Sequence, residues 1–205
     1  MAGAILILSG PSGAGKSTII HEAADRIGPW YFSISSTTRT PRPGEEDGVA
    51  YHFVTREAFE AGIAAGEFLE YAEVHGHYYG TSLAPVRQAL AEEKLVLFDI
   101  DVQGHRLARQ AMGDRITSVF ITPPSLAELE RRLRARATDS DEAIRHRLHN
   151  AREEIQALDE FDYVLINDRI DSSVEAFVAV AQTARLKRGQ EEIDRLIAAW
   201  MGDDR

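Results

Sequence analysis

Apolar blocks of strand length recur along the chain at residues 5–8, 31–34, 95–100, 116–121 and 163–166. They are continuous runs, not alternating ones, which is the pattern of parallel strands buried on both faces. Segments of helical character separate most of them, at residues 17–27, 83–93, 102–112, 125–136 and 141–158. Pro85 stands near the start of the second segment, where a missing N–H is tolerated. Ser125 and Glu128 form a capping box that opens the fourth. Ile144, Leu148, Ile155 and Leu158 share one face of the fifth. This alternation predicts a doubly wound α/β core, a parallel sheet flanked by helices. Residues 191–201 add an amphipathic helix whose Ile193, Leu196, Ile197 and Trp200 are expected to pack against that core.

Two stretches interrupt the alternation. Residues 35–82 open with the loop-rich SSTTRTPRPGEEDG and continue with short strands near 51–54 and 68–79. They read as a small β-rich subdomain inserted into the core. The arginine-rich stretch 131–147 spans a turn between two helices and reads as a mobile cover. The expected organisation is one domain of 205 residues. Its core comprises residues 1–34, 83–124 and 159–205, with an insertion at 35–82 and a lid at 125–158.

Composition narrows the chemistry. The net charge of −10 disfavours long polyanions such as nucleic acid, whose binders carry a basic face. Local arginine clusters still allow a small anionic substrate in a cleft. No apolar run reaches the roughly 20 residues of a membrane span. The apolar N-terminus is too short and lacks the basic flank of a signal peptide. With no cysteine, thiolate metal sites and disulfides are excluded. A cytoplasmic protein is expected.

The sharpest motif is GPSGAGKST, residues 10–18. Gly10, Gly15, Lys16 and Ser17 occupy the fixed positions of G-x-x-x-x-G-K-[ST], with an apolar strand before and a helix after. Such a loop turns backbone N–H groups inward around phosphate oxygens, and the following helix dipole favours negative charge. Pro11, Ser12, Gly13, Ala14 and Thr18 complete the candidate ATP-phosphate cradle. Lys16 is placed to reach the outer phosphates, and the Ser17 hydroxyl to ligate Mg²⁺. Asp99, at the end of an apolar strand, is a second candidate for the metal, directly or through water. Many strands end in an acid, so this signal gains weight only beside the phosphate loop. His75 with His77, and His146 with His149, are spaced to share a face, but neither pair has a third ligand at recognisable spacing.

With the phosphate loop, further blocks follow in order: SSTTRTPRPGE (35–45), AYHFV (50–54), GEFLEYAEVHGHYYGT (66–81), LFDIDVQG (97–104), FITPPS (120–125), RRLRARATD (131–139) and LIND (165–168). Over most of its length the chain resembles the guanylate kinase family of P-loop nucleoside monophosphate kinases. That resemblance implies a P-loop NTPase-type core, a GMP-binding insertion and a helical lid. It implies the reversible reaction ATP + GMP ⇌ ADP + GDP with Mg²⁺, in purine nucleotide metabolism. ATP and GMP are the implied partners, with dGMP tolerance left open. A homo-oligomer is compatible with the sequence but not implied by it.

Carried over by motif, Arg39, Arg42, Tyr51 and Tyr79 hold the GMP phosphate, and guanidinium forks with phenol O–H groups suit a dianion. Ser35, Glu70, Thr81 and Asp101 read the guanine, with Asp99 at the same site. A carboxylate accepts from guanine N1–H and N2–H₂, and hydroxyls donate to O6; adenine would leave these groups unpaired. Lys16, Arg132, Arg136 and Arg147 are the implied catalytic cations, and Asn167 is implied to contact adenine. Arg131 and Arg134 read as solvated helix face. No general base is assigned, because the attacking phosphate oxygen is already ionised. Ala137 replaces the family's usual Gly, and Ala50 stands where an acid is common. Two other readings share the fold: a binding module that has lost catalysis, and a related sugar-phosphate kinase. The intact phosphate loop and lid arginines argue against the first. Ser35, Glu70, Tyr79 and Thr81 together argue against the second.

Overall fold

The computed structural model describes residues 3–42, 44–74, 76–135 and 140–202. In chain order the strands are β1 (Ala4–Ser9), β2 (Trp30–Ser33), β3 (Ser36–Thr37), β4 (His52–Phe53), β5 (Phe68–Val74), β6 (His77–Ser82), β7 (Leu95–Asp99), β8 (Ile116–Thr122) and β9 (Tyr163–Ile166). The helices are α1 (Lys16–Ala23), α2 (Arg56–Ala64), α3 (Leu83–Ala91), α4 (Val102–Met112), α5 (Leu126–Ala135), α6 (Asp141–Glu154), α7 (Ile170–Leu186) and α8 (Gln190–Met201).

The five core strands form one parallel sheet in the order β2-β7-β1-β8-β9. Successive side chains of β1 and β7 point to opposite faces. Leu6, Leu8, Leu95 and Leu97 meet α1 and α7 through Ile19, Ile20, Phe177 and Val178. Ile5, Ile7, Val96 and Phe98 meet α3 and α4 through Val86, Ala89 and Ala108. Both faces are therefore dry, which is why the strands read as unbroken apolar runs. Each such aliphatic side chain contributes about 1.5–3 kcal/mol on burial. The expectation of two-sided burial holds for β1, β7 and β8 and fails at the edge, where Val164 and Ile166 of β9 are 48% and 61% exposed.

All five strands point the same way, so their C-terminal ends share one rim. The phosphate loop leaves β1 there, Asp99 ends β7 there, and Asn167 follows β9 there. This rim is where open parallel sheets hold their ligands.

Residues 36–82 supply a separate four-stranded sheet, ordered β4-β3-β6-β5. The stretch read as one strand at 68–79 is an antiparallel hairpin, β5 and β6, with Gly76 at φ +79° in its turn. Between β4 and β5 lies α2, which the sequence reading did not include. Thr55 caps it by accepting from the Ala58 N–H at 3.2 Å. Its buried Phe59 stacks on Phe68 at 4.2 Å and on Tyr78 at 5.2 Å.

Helices α5 and α6 pack on each other through Leu129, Leu133, Ile144 and Leu148. Two further differences concern the C-terminal part. Helix α7 was missed, although Val174, Phe177, Val178, Ala181 and Ala184 line its buried face. Its small and β-branched residues, with the alternating FVAVAQ at its centre, blur the helical period. Helix α8 does not pack as expected: Leu196, Ile197, Trp200 and Met201 are 66%, 56%, 85% and 70% exposed.

Candidate active site

The phosphate loop is shaped by what lies behind it. Gly10 has φ +137°, and a Cβ there would sit 1.9 Å from the Ile121 carbonyl oxygen. Gly15 has φ +94°, and its Cβ would meet Asn167 Nδ2 at 2.4 Å. Neither position accepts a side chain, both for backbone strain and for space. Asn167 is 5% exposed, and its Nδ2 donates to the Ala14 carbonyl at 2.7 Å. Its own N–H donates to the Thr122 carbonyl at 2.7 Å, and its carbonyl accepts from Arg132 Nη2 at 2.8 Å. Asn167 thus ties the loop, the end of β8 and the lid helix α5 together. With Gly13, Gly15, Thr18 and Arg132 it lines an open cavity of about 570 Å³.

Lys16, on the first turn of α1, donates through Nζ to the Gly10 carbonyl at 2.6 Å and lies 3.6 Å from Asp99 Oδ1. Burial raises the Asp99 carboxyl above its ordinary value, and Lys16 offsets only part of that rise. Ser17 is exposed. Among the described residues no three acids or histidines converge to cage a metal. Ser17 and Asp99 instead offer the sparse oxygen set that suits Mg²⁺, which takes its other ligands from phosphates and water.

A second cavity, of about 300 Å³, lies between the two sheets and is lined by Ser35, Tyr51, Glu70, Tyr79, Asp99 and Asp101. Gln103 and Gly104, from the first turn of α4, also border it, and Gln103 was not singled out from the sequence. Thr81 stands behind the lining, 1% exposed, with its Oγ1 donating to Glu70 Oε1 at 2.7 Å. Burial raises the Glu70 carboxyl, the Thr81 hydroxyl lowers it, and the Asp101 charge raises it further. Asp101 caps α4, its Oδ1 accepting from the Gly104 N–H at 2.7 Å. Tyr51 and Tyr79 meet edge to face at 5.9 Å. Burial first, then Tyr79, raises the Tyr51 phenol, so it stays a donor at neutral pH.

The predicted arginines divide. Arg39 lies behind the cavity wall, its guanidinium 5.5 Å from the Tyr51 ring and 5.8 Å from the Phe53 ring. Its loop is pinned to β6, because the Thr38 hydroxyl accepts from the Tyr78 N–H at 2.9 Å and the Thr37 hydroxyl donates to the Tyr78 carbonyl at 2.9 Å. The Arg42 side chain is exposed. Arg132 pairs through Nε with Glu128 Oε1 at 2.7 Å. Glu128 also holds Arg131, and the two guanidiniums lower its carboxyl to about 2. Arg147, on α6, donates to the Ser12 hydroxyl in the phosphate loop. Arg136 lies outside the described residues.

Two acids escaped the sequence reading. Glu45 accepts from Arg39 Nη2 at 2.9 Å through both carboxylate oxygens. Glu154 is half-buried at the end of α6. Burial raises its carboxyl, Lys16 lowers it, and Asp101 raises it again, which puts it in the same electrostatic field as the cleft. Glu154 falls seven residues after Arg147, so both occupy one helix face; that spacing was the available signal. Glu45 stands inside the quoted block 35–45, with nothing local to mark it.

Together these groups form an anion cradle at a helix N-terminus facing, across Asp99, a pocket with one buried carboxylate and several hydroxyls. The arrangement suits transfer of a phosphoryl group between two bound anions. The sequence model of the guanylate kinase family matches residues 2–184. The chain is 50% identical to a guanylate kinase of Sulfurimonas denitrificans over 198 residues, covering 97% of this chain and 96% of that protein. It is 46% identical to one of Helicobacter pylori over 199 residues, covering 97% and 96%. The crystal structure of guanylate kinase from Anaplasma phagocytophilum superimposes with a TM-score of 0.70 at 32% identity, covering 91% of this chain and 88% of that one. A gluconokinase from Sinorhizobium meliloti, 17% identical with a TM-score of 0.50 over 89% of this chain and 94% of its own, is similar in fold alone.

Proposed function

The chain belongs to the guanylate kinase family, and from that premise we propose how its own residues carry out the family's reaction. The enzyme transfers a phosphoryl group from ATP to GMP, giving ADP and GDP. In our reading the loop 10–18 holds the ATP phosphates, with Lys16, Arg132, Arg136 and Arg147 as the cations around the migrating group. GMP occupies the cavity between the sheets. Glu70, Ser35 and Asp101 read its base, with Thr81 acting through Glu70 and not on the base directly. Tyr51, Tyr79, Arg39 and Arg42 hold its phosphate, next to Asp99.

The observation that carries this reading is the convergence of six predicted residues from distant segments on one cavity: Ser35, Tyr51, Glu70, Tyr79, Asp99 and Asp101. Thr81 supports base recognition from behind by donating to Glu70 Oε1 and so orienting a carboxylate that accepts guanine N–H donors. An adenine would set its N1 lone pair against that carboxylate, an unpaired contact that such sites reject strongly.

The chemistry needs alignment and positive charge more than proton transfer. Lys16 neutralises charge between donor and acceptor phosphates. Arg147, by touching Ser12, couples the lid helix to the loop, so closure brings cation and donor together and excludes water. Ser17 and Asp99 would hold Mg²⁺, which would supply positive charge to the reacting phosphates. We place the enzyme in the cytoplasm. Among the described residues no helix is long and apolar enough to cross a membrane.

A coupled ADP-release assay with GMP, AMP, CMP and UMP as acceptors tests the site. Turnover with GMP alone is expected, and its selectivity should collapse when Glu70 is changed. Unaltered selectivity in that variant would refute the assignment of base recognition to this cavity.

A further inference from the structure

We infer that Glu45 is a positioning residue for the acceptor phosphate, because one carboxylate fixes both arginines read as phosphate ligands. Its two oxygens each lie 2.9 Å from Arg39 Nη2. Oε2 also accepts the Arg42 backbone N–H at 2.8 Å. The pair is sheltered, with Arg39 11% and Glu45 22% exposed along their side chains. Arg39 Nη1 is engaged by the Thr40 carbonyl at 2.8 Å, and the guanidinium lies beside the Tyr51 and Phe53 rings. Arg39 also hydrogen-bonds the Tyr79 side chain, so its guanidinium is already ordered beside a second residue read as a phosphate ligand.

An arginine without such a hold would lose much rotamer freedom on binding phosphate. Held by a carboxylate, it is already ordered, so that loss is avoided. The Arg42 backbone bond closes the turn 42–45, where the Glu45 N–H also donates to the Arg42 carbonyl at 3.0 Å. Glu45 therefore sets the origin of the Arg42 side chain as well as the orientation of Arg39.

A carboxylate beside a dianion's site is repulsive by charge alone. If charge decided, Glu45→Gln would tighten GMP binding. If positioning decides, Glu45→Gln weakens it even though the amide oxygen can still accept the Arg42 N–H.

The inference rests on the reading that Arg39 binds the GMP phosphate, so the experiment separates the two. GMP and guanosine affinities are measured by calorimetry or competition for the intact wild type, Glu45→Gln, Glu45→Ala and Arg39→Ala, together with kcat and KM for both substrates. The expected result is a GMP Kd raised about ten-fold in Glu45→Gln, the factor that one charge-assisted hydrogen bond supplies, and raised further in Glu45→Ala. Guanosine affinity and the KM for ATP stay at wild-type values. An equal loss for GMP and guanosine would mean that Glu45 merely supports the insertion, and would overturn the inference. So would unchanged or tighter GMP binding in Glu45→Gln while Arg39→Ala weakens it. Wild-type GMP affinity in Arg39→Ala would overturn the phosphate-site reading itself.

Discussion

Replacing Asn167 by Ala tests whether this residue acts through the nucleotide base or through the phosphate loop. The wild-type amide is buried and donates to the Ala14 carbonyl at 2.7 Å. Truncation removes the donor and leaves that carbonyl facing a small gap under the loop. A buried acceptor left unpaired costs about 1–3 kcal/mol, which corresponds to roughly 5- to 150-fold in an equilibrium constant. The bonds of the residue 167 backbone survive, its N–H donating to the Thr122 carbonyl and its carbonyl accepting from Arg132 Nη2, so the fold itself should persist. Two measurements are needed. Urea unfolding should show the midpoint lowered with its slope unchanged. Calorimetry should show affinity for ATP and for inorganic tripolyphosphate falling by the same factor, with GMP affinity unaltered. A variant with wild-type stability that loses affinity for ATP but not for tripolyphosphate would refute the anchoring argument and return Asn167 to an adenine contact.

Three further outcomes are expected. Lys16→Met should lower kcat by about three orders of magnitude, the upper range for one lost charge-stabilising donor, with GMP binding retained by calorimetry; near-normal turnover would remove Lys16 from the mechanism. Glu70→Gln sets an amide N–H₂ against guanine donors and should lower kcat/KM for GMP roughly 100-fold, from unpaired groups of about 1–3 kcal/mol each, with ATP parameters much less changed; equal losses for both substrates would contradict the base-reading role. His105 is 1% exposed, stacks on Phe161 at 4.1 Å, and has no hydrogen-bond partner at either ring nitrogen among the described residues. Burial, with Arg109 and Arg106, lowers its pKa against the opposing pull of Glu160 and Asp162. The unfolded chain then takes up the proton first, so stability should be full above pH of about 6.5 and decline as pH falls below it. His105→Phe should flatten that part of the urea-midpoint profile, and an unchanged slope would refute the assignment.

The central strands and the phosphate loop were legible because their constraints are local and dense. Ile5–Leu8 and Leu95–Phe98 must be apolar at every position, since alternate side chains enter different dry clusters. Gly10 and Gly15 must lack a Cβ. The edges were less legible, since β9 keeps an apolar sequence while leaving Val164 and Ile166 open. Helix α7 was hidden by alanine and valine, which carry weak periodic contrast. Helix α8 showed the reverse problem: its amphipathic pattern is real, yet its apolar face is exposed. Glu45 is an ordinary acid in sequence, distinguished only by its tertiary contact with Arg39, and Glu154 is marked in sequence only by its spacing from Arg147.

Glu128 is held between Arg131 and Arg132, with a carboxyl that stays ionised down to about pH 2. Arg132 therefore rests on a monoanion. In our reading of Arg132 as a phosphate cation, an incoming phosphate oxygen that took the Nε–H would do so against that carboxylate, and its gain would be the difference between two anionic partners. The lid helix thus carries its own resident anion.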